Sequence, residues 1–224
     1  MLKRINLSGN PNLGVYISAT NKQAIVPPTL PKPMEEAIKE ALEVDVIRST
    51  ISGSNLAGAL SVGNSNGFIV SALAYDREVK SLQDKGIVID RVPDKYTAIG
   101  NILLANDNGA VCSPLISDKT MEIIEDKLGV EVCRTTIADF NIVGSVATVT
   151  NQGVLSHPTT SSEELELLED IFKVPAYIGT VNRGAGLIGA CSVTNTNGAM
   201  VGETTTGPEM ARLEEAMGFL KAFQ

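Results

Sequence analysis

Apolar and polar positions follow one pattern along this chain, and it recurs five times. Each copy opens on a glycine, continues through an alternating apolar run and ends in a polar turn that carries asparagine. The copies are residues 14–21 (GVYISATN), 58–64 (GALSVGN), 100–106 (GNILLAN), 144–151 (GSVATVTN) and 189–195 (GACSVTN). The asparagines that close them, Asn21, Asn64, Asn106, Asn151 and Asn195, are spaced by 43, 42, 45 and 44 residues. A fixed period of this length marks a repeat architecture, in which no unit can bury its apolar face alone.

The third copy shows the parts of one unit. Residues 102–105 read as an apolar strand. Asn106, Asp107, Asn108 and Gly109 then make a tight turn, since these residue types accept positive φ. Residues 110–112 return as a second strand. Ser117 and Asp118 open a helix that turns Met121, Ile123, Ile124 and Leu128 inward, and Gly129 stands where a helix-ending glycine belongs. Residues 130–137 make a third strand that leads into the next copy. The other copies agree. A helix runs from about Asp76, with Val79 and Leu82 inward and Gly86 as its stop. Another carries the capping box Ser161 to Glu164. A third has Pro208 in its first turn, where the missing N–H costs little. The first follows Pro33, with Met34, Ile38, Ala41 and Leu42 on one face. Third strands are expected at 44–51, 87–92 and 175–181.

A helix in every unit excludes a WD-type propeller, whose blades are four strands each, and the dominance of strands excludes an α-solenoid. The fifth copy ends at residues 219–224 with no third strand. Residues 3–9 align with 47–53, and in both the repeat glycine lies ten residues after an arginine. The strand 1–7 is therefore expected to complete the last unit and close a ring, which removes the exposed sheet edge. The expected fold is of the α/β (α+β) class: one closed, five-fold pseudosymmetric β/α propeller of about 44-residue repeats. It is a single domain over 1–224, with units near 8–51, 52–92, 93–137, 138–181 and 182–224.

Composition narrows the function. The net charge of −8 and the pI near 4.8 argue against a binder of nucleic-acid backbone and favour a basic protein surface as partner. Three widely spaced cysteines without a CxxC pair indicate neither a disulfide framework nor a metal site. The start of the chain lacks the apolar core of an export signal and no run is long enough to span a bilayer, so a cytoplasmic protein is expected.

In a closed ring all the turns emerge on one face. That face gathers Asn21, Asn64, Ser65, Asn66, Asn106, Asp107, Asn108, Asn151, Gln152, Asn195 and Asn197, an amide-rich candidate docking surface. Turn geometry alone also explains any one of these residues. Arg4, Arg48, Arg91 and Arg134 recur before four units; pairing with acidic neighbours is favoured over anion binding along the axis. Gly184, Gly186 and Gly189 match a dinucleotide fingerprint, but a strand follows them where the fingerprint needs a helix. His157 and Cys191 fall toward the end opposite the turns, where a Cys–His nucleophilic site is conceivable; a buried small residue is the simpler account of Cys191.

Several segments carry a resemblance: residues 150–153 (TNQG) with His157 and Pro158, 179–184 (GTVNRG), Gly100 and Asn101 with Asn106 and Asp107, and 62–64 (VGN). The chain resembles the translation initiation factor 6 family along its whole length, in the shorter archaeal form. The resemblance implies a pentein fold, no cofactor and no metal. It further implies a monomer that binds the large ribosomal subunit, chiefly ribosomal protein uL14 near the sarcin–ricin loop, with limited rRNA contact left open. Such a factor prevents premature joining of the small subunit and acts in large-subunit maturation. Asn64 and Asn106 match the family's binding positions, and Ser65 stands where eukaryotic members carry an arginine. The rival within the same fold is a guanidino-group hydrolase or transferase using Cys191 and His157.

Overall fold

In the computed structural model, which describes residues 1–7 and 9–219, every unit has the same plan. The chain enters through β1 (Leu2–Ile5). Unit one is α1 (Leu13–Tyr16), β2 (Ser18–Ala19), β3 (Gln23–Val26), α2 (Lys32–Leu42) and β4 (Asp45–Arg48). Unit two is α3 (Ala57–Leu60), β5 (Ser61–Asn64), β6 (Gly67–Ser71), α4 (Asp76–Gln83) and β7 (Ile89–Val92). Unit three is α5 (Ile99–Ile102), β8 (Leu103–Ala105), β9 (Gly109–Cys112), α6 (Asp118–Leu128) and β10 (Glu131–Arg134). Unit four is α7 (Val143–Val146), β11 (Ala147–Val149), β12 (Val154–Ser156), α8 (Ser162–Phe172) and β13 (Ala176–Ile178). Unit five is α9 (Ile188–Cys191), β14 (Ser192–Asn195), β15 (Gly198–Gly202) and α10 (Gly207–Ala216).

Within a unit the first two strands pair as an antiparallel hairpin, and the third pairs in parallel with the second after the long helix crosses over. Unit five borrows its third strand from the start of the chain. β1 lies parallel to β15, with Leu2 opposite Ala199 and Arg4 opposite Val201. The Met1 ammonium donates to Asn197 O at 2.8 Å. Closure by the N-terminal strand is thus as the sequence implied; the expectation placed on residues 220–224 lies outside the described residues. The short helices close a second circle, each packing on the next and α9 on α1.

Those short helices are a correction to the sequence reading, which put each repeat glycine at the head of a strand. Gly14, Gly58, Gly100, Gly144 and Gly189 all lie inside single helical turns. A Cβ on any of them would overlap the carbonyl oxygen of the previous glycine in the ring, ending with Gly14 against Gly189. The glycines therefore let five backbones meet around the axis, where a channel of about 100 Å³ remains. The third strands are also shorter than expected, because each pairs only while it lies beside the second strand.

The long helices sit on the outside of the ring and cover five separate apolar clusters, one between each sheet and its neighbours. Their ends follow the sequence signals. Ser161 caps α8 reciprocally with Glu164, and Gly129 ends α6 in the left-handed conformation. Gly86 takes positive φ shortly after α4. The recurring arginines are structural: Arg48 pairs with Glu35 (2.7 Å), Arg91 with Asp76 (2.8 Å) and Arg134 with Asp118, each at the start of its unit's long helix. Arg4 instead donates to Thr205 O.

At the end opposite the hairpins, buried carboxylates hold tight turns. Glu209 accepts from the backbone N–H groups of Arg183 (3.1 Å), Gly184 (2.7 Å) and Thr206 (2.7 Å) and from the Thr180 hydroxyl (2.9 Å). Burial opposes its ionisation, yet these donors outweigh burial and hold the carboxyl at about 2. A depressed carboxyl adds stability above its unfolded value near 4.3, and that stability is lost as pH falls toward about 2. The increment is about 3 kcal/mol. Glu209→Gln is therefore expected to melt lower at neutral pH and to show a flatter fall between pH 4.5 and 2.5. Parallel melting curves for wild type and variant across that window would contradict this account.

Candidate functional site

The hairpin end of the ring carries the candidate surface, and hydrogen bonds there define the register of the units. Asn64 Oδ1 accepts from Asn66 N, Asn106 Oδ1 from Asn108 N and Gly109 N, and Asn195 Oδ1 from Asn197 N and Gly198 N. In the other two units threonines take this part. Thr20 Oγ1 accepts from Lys22 N and Gln23 N, and Thr150 Oγ1 from Gln152 N and Gly153 N. Thr20, Asn64, Asn106, Thr150 and Asn195 are thus equivalent. Asn21 and Asn151 sit one position later, level with Ser65, Asp107 and Thr196. The even asparagine spacing merged two structural positions.

The first set faces inward. Asn64, Asn106 and Asn195 are 4, 4 and 3% exposed. Each amide nitrogen donates twice into the following unit: Asn64 to Asn106 O (3.1 Å) and Leu128 O (2.9 Å), Asn106 to Thr150 O and Phe172 O (both 3.0 Å), and Asn195 to Thr20 O (3.1 Å) and Leu42 O (2.8 Å). Leu128, Phe172 and Leu42 are the last residues of α6, α8 and α2, so these bonds satisfy helix-end carbonyls that lack a partner within their own helix. This corrects the expectation that Asn64, Asn106 and Asn195 display their amides to a partner. Their hydrogen-bonding capacity is spent stitching the ring.

The second set closes the mouth of the channel. Asp107 accepts from Ser65 N (2.7 Å), Ser65 Oγ (2.7 Å), Asn151 Nδ2 (2.6 Å) and Asn21 Nδ2 (3.3 Å). Asn21 Oδ1 in turn accepts from Thr196 N at 2.9 Å. Burial pushes the Asp107 carboxyl up, but the Asn151, Ser65 and Asn21 donors prevail and keep it below the usual carboxylate value. One carboxylate so fixes the hairpins of four units relative to one another.

The third set points out. Asn66, Asn108 and Asn197 are exposed, and each spends one N–H on a helix-end carbonyl, Leu128 O, Phe172 O or Leu42 O. Their Oδ1 atoms accept no hydrogen bond from the described residues. Gln152, with its nitrogen turned to the ring, does the same for Met217 O at 3.0 Å. Lys22 reaches Ser65 O at 2.8 Å. The hairpin end therefore presents carboxamides whose positions are fixed from beneath. Gln152 belongs to the sequence-derived face, whereas Lys22 is absent from it because only the hairpin register shows that Lys22 is equivalent to Asn66, Asn108, Gln152 and Asn197.

The Cys–His pair is not assembled. Cys191 ends α9 instead of opening a strand, is buried, and its sulfur donates to Asn12 Oδ1 at 3.2 Å. Burial pushes its thiol up, away from the thiolate a nucleophile needs. The His157 ring instead packs on Phe140 with centroids 5.2 Å apart and meets the Thr159 hydroxyl at 2.8 Å. No cluster of metal-ligating side chains occurs among the described residues, and no helix there is long and apolar enough to cross a membrane.

Five sheet-and-helix units around a narrow axial channel, closed by the N-terminal strand and faced at one end by a rigid polar hairpin surface, define a pentein. A solved dimethylarginine dimethylaminohydrolase shares the fold, with a TM-score of 0.50 at 12% identity, covering 75% of this chain and 68% of that one. The chain belongs to the eIF-6 family, whose model matches residues 2–216. Relatives named translation initiation factor 6 include that of Methanobrevibacter smithii, 49% identical over 98% of this chain and 99% of its own, and that of Pyrococcus horikoshii, 43% identical over the same shares. The Methanothermobacter thermautotrophicus factor is 57% identical over 64% of each chain.

Proposed function

We propose that the protein binds the large ribosomal subunit through its hairpin end, prevents premature joining of the small subunit and takes part in large-subunit maturation. It acts as one monomeric body over 1–224, in the cytoplasm and without cofactor chemistry. The contact is chiefly with ribosomal protein uL14 near the sarcin–ricin loop, with limited rRNA contact. The observation that carries this reading is the set of exposed carboxamides, Asn66, Asn108, Gln152 and Asn197, held from below by helix-end carbonyls. Preorganised amides lose little entropy on docking and can meet backbone groups of a partner. The charge of −8 supports a basic protein over bare rRNA as the main contact. Exclusion then needs only affinity and bulk, and a folded chain of this length has a radius of gyration near ~17 Å.

Sucrose-gradient sedimentation with separated subunits tests it. The protein is expected to travel with the large subunit and to lower the yield of joined particles; travel with the small subunit, or with neither, would sink the proposal. The Asn66→Ala, Asn108→Ala double variant keeps the buried stitches and is expected to bind about tenfold more weakly. Cys191→Ala and His157→Ala are expected to sediment as wild type does.

A further inference from the structure

At the end opposite the hairpins, four equivalent positions can be compared between the fourth and the first junctions of the ring. They are the residue that closes the tight turn before a short helix, the last residue of that helix, the residue after the second strand, and the residue two before the next short helix. At the fourth junction these are Phe140, Val146, His157 and Gly186; at the first they are Asn10, Tyr16, Pro27 and Asn55. The equivalence follows from the bridges Ile137 to Phe140 and Leu7 to Asn10, from the ends of α7 and α1, and from the ends of β12 and β3.

At the fourth junction two rings, Phe140 and His157, stand where the first junction has Asn10 and Pro27, and the Phe140 ring stays partly exposed. The Phe140 ring lies against His157 at 5.2 Å and 58°. His157 fits because residue 186 is glycine: a Cβ there would strike the imidazole. The first junction has none of these features. Asn10 folds inward, donating to Tyr16 Oη at 2.9 Å and accepting from Asn12 N at 2.9 Å, and Pro27 is too short to reach across. A cavity of about 320 Å³ results, walled by Leu7, Tyr16, Leu30 and Pro31. Asn10, Thr29 and Asn55 supply its polar walls, and it opens to solvent; an enclosed space of about 150 Å³ admits a benzene ring, so the volume here is sufficient for one. Among the described residues, no charged side chain lines it. The Tyr16 hydroxyl accepts from Asn10 and so keeps its own proton for an outside acceptor. The Asn55 carboxamide at the rim makes no hydrogen bond to the described residues, and it offers the donor and acceptor that a peptide backbone needs.

We propose that the cavity between the first two units receives an aromatic side chain of a partner polypeptide. That ring takes the place Phe140 occupies at the fourth junction, while Tyr16 Oη and the Asn55 carboxamide engage the backbone on either side of it. The site is at the far end of the ring from the hairpins and does not rest on the ribosomal reading.

Heteronuclear NMR of the full chain with N-acetyl-L-phenylalaninamide, and with N-acetyl-L-alaninamide as the control, tests this. The phenyl probe is expected to give saturable shifts at the side-chain amides of Asn10 and Asn55 and at the Leu30 backbone in the millimolar range, and the alanine probe none. The triple variant Asn10→Phe, Pro27→His, Asn55→Gly installs the two rings of the fourth junction and should weaken binding at least tenfold with its melting temperature retained. If that variant does not fold, Asn55→Phe at the exposed rim is the second blocker and should have the same effect. No saturable shift, equal shifts with both probes, or unchanged binding in a folded blocked variant would overturn the proposal.

Discussion

Gly100→Ala is expected to lower the stability of the ring by about 3 kcal/mol or more, toward the upper end of what overpacking costs. The added methyl would overlap Gly58 O and lie 2.6 Å from Ser61 O. Both are backbone atoms of the neighbouring unit, so no side-chain rotation relieves the clash. In an open stack the units could splay. Here β1 pairs with β15 and α9 packs on α1, so a displacement at one junction must be absorbed around the whole circle. For a chain of this length such a loss corresponds to a fall in Tm of about 6–12 °C. Gly207→Ala serves as the comparison, since its Cβ would meet nothing within 4 Å and its φ is not positive. It is expected to be neutral or slightly stabilising. Thermal and urea unfolding of the two variants decides the matter, and equal effects would show that the axis is not closely packed.

Asn106→Ala is expected to have an effect of similar size, about 3 kcal/mol, through four lost hydrogen bonds. Two are donations to Thr150 O and Phe172 O, and two are acceptances from Asn108 N and Gly109 N. Each buried group left without a partner costs about 1–3 kcal/mol, less than additively. Phe172 O keeps the bond from Asn108 Nδ2, which moderates the total. Asn106→Asp should restore the two acceptances while setting a carboxylate against two carbonyl oxygens, so it is expected to be less stable than wild type at neutral pH and to recover partly as the pH falls. Urea unfolding, read before any sedimentation experiment, separates this loss of fold from a loss of docking. If Asn106→Ala unfolds like wild type yet fails to sediment with the large subunit, then its amide meets the partner directly and the internal stitches are of little account. Weakened binding in proportion to lost stability is the expected outcome.

Much of the architecture was legible because it is written locally. The helix of unit four announces itself through Ser161 and Glu164, that of unit three through its apolar stripe and Gly129. Ring closure was legible too, since the residues around Arg4 align with those around Arg48. The short helices were not. Four residues are too few to show a helical period, and what makes α5 a helical turn is the approach of the unit before it. The asparagine register was hidden for a related reason. Asn21 and Asn106 are both polar turn residues in a similar place, and only hairpin pairing shows that one sits at the channel mouth while the other is buried beneath the turn. Of the candidate site, Asn66, Asn108 and Asn197 lie on the outer rim, Asn21, Ser65, Asp107 and Asn151 at the mouth, and Asn64, Asn106 and Asn195 within the ring.

The sequence by itself determined that there are five units, where their long helices and hairpin strands lie, and that the first strand serves the last unit. Each of these follows from contacts between residues near in the chain or from a pattern that repeats. Only the tertiary structure decided which turn amides face outward, because the buried amides of Asn64 and Asn106 donate to carbonyls of another unit, 42 to 66 residues away. No local propensity records a hydrogen bond whose acceptor is the end of a neighbouring helix.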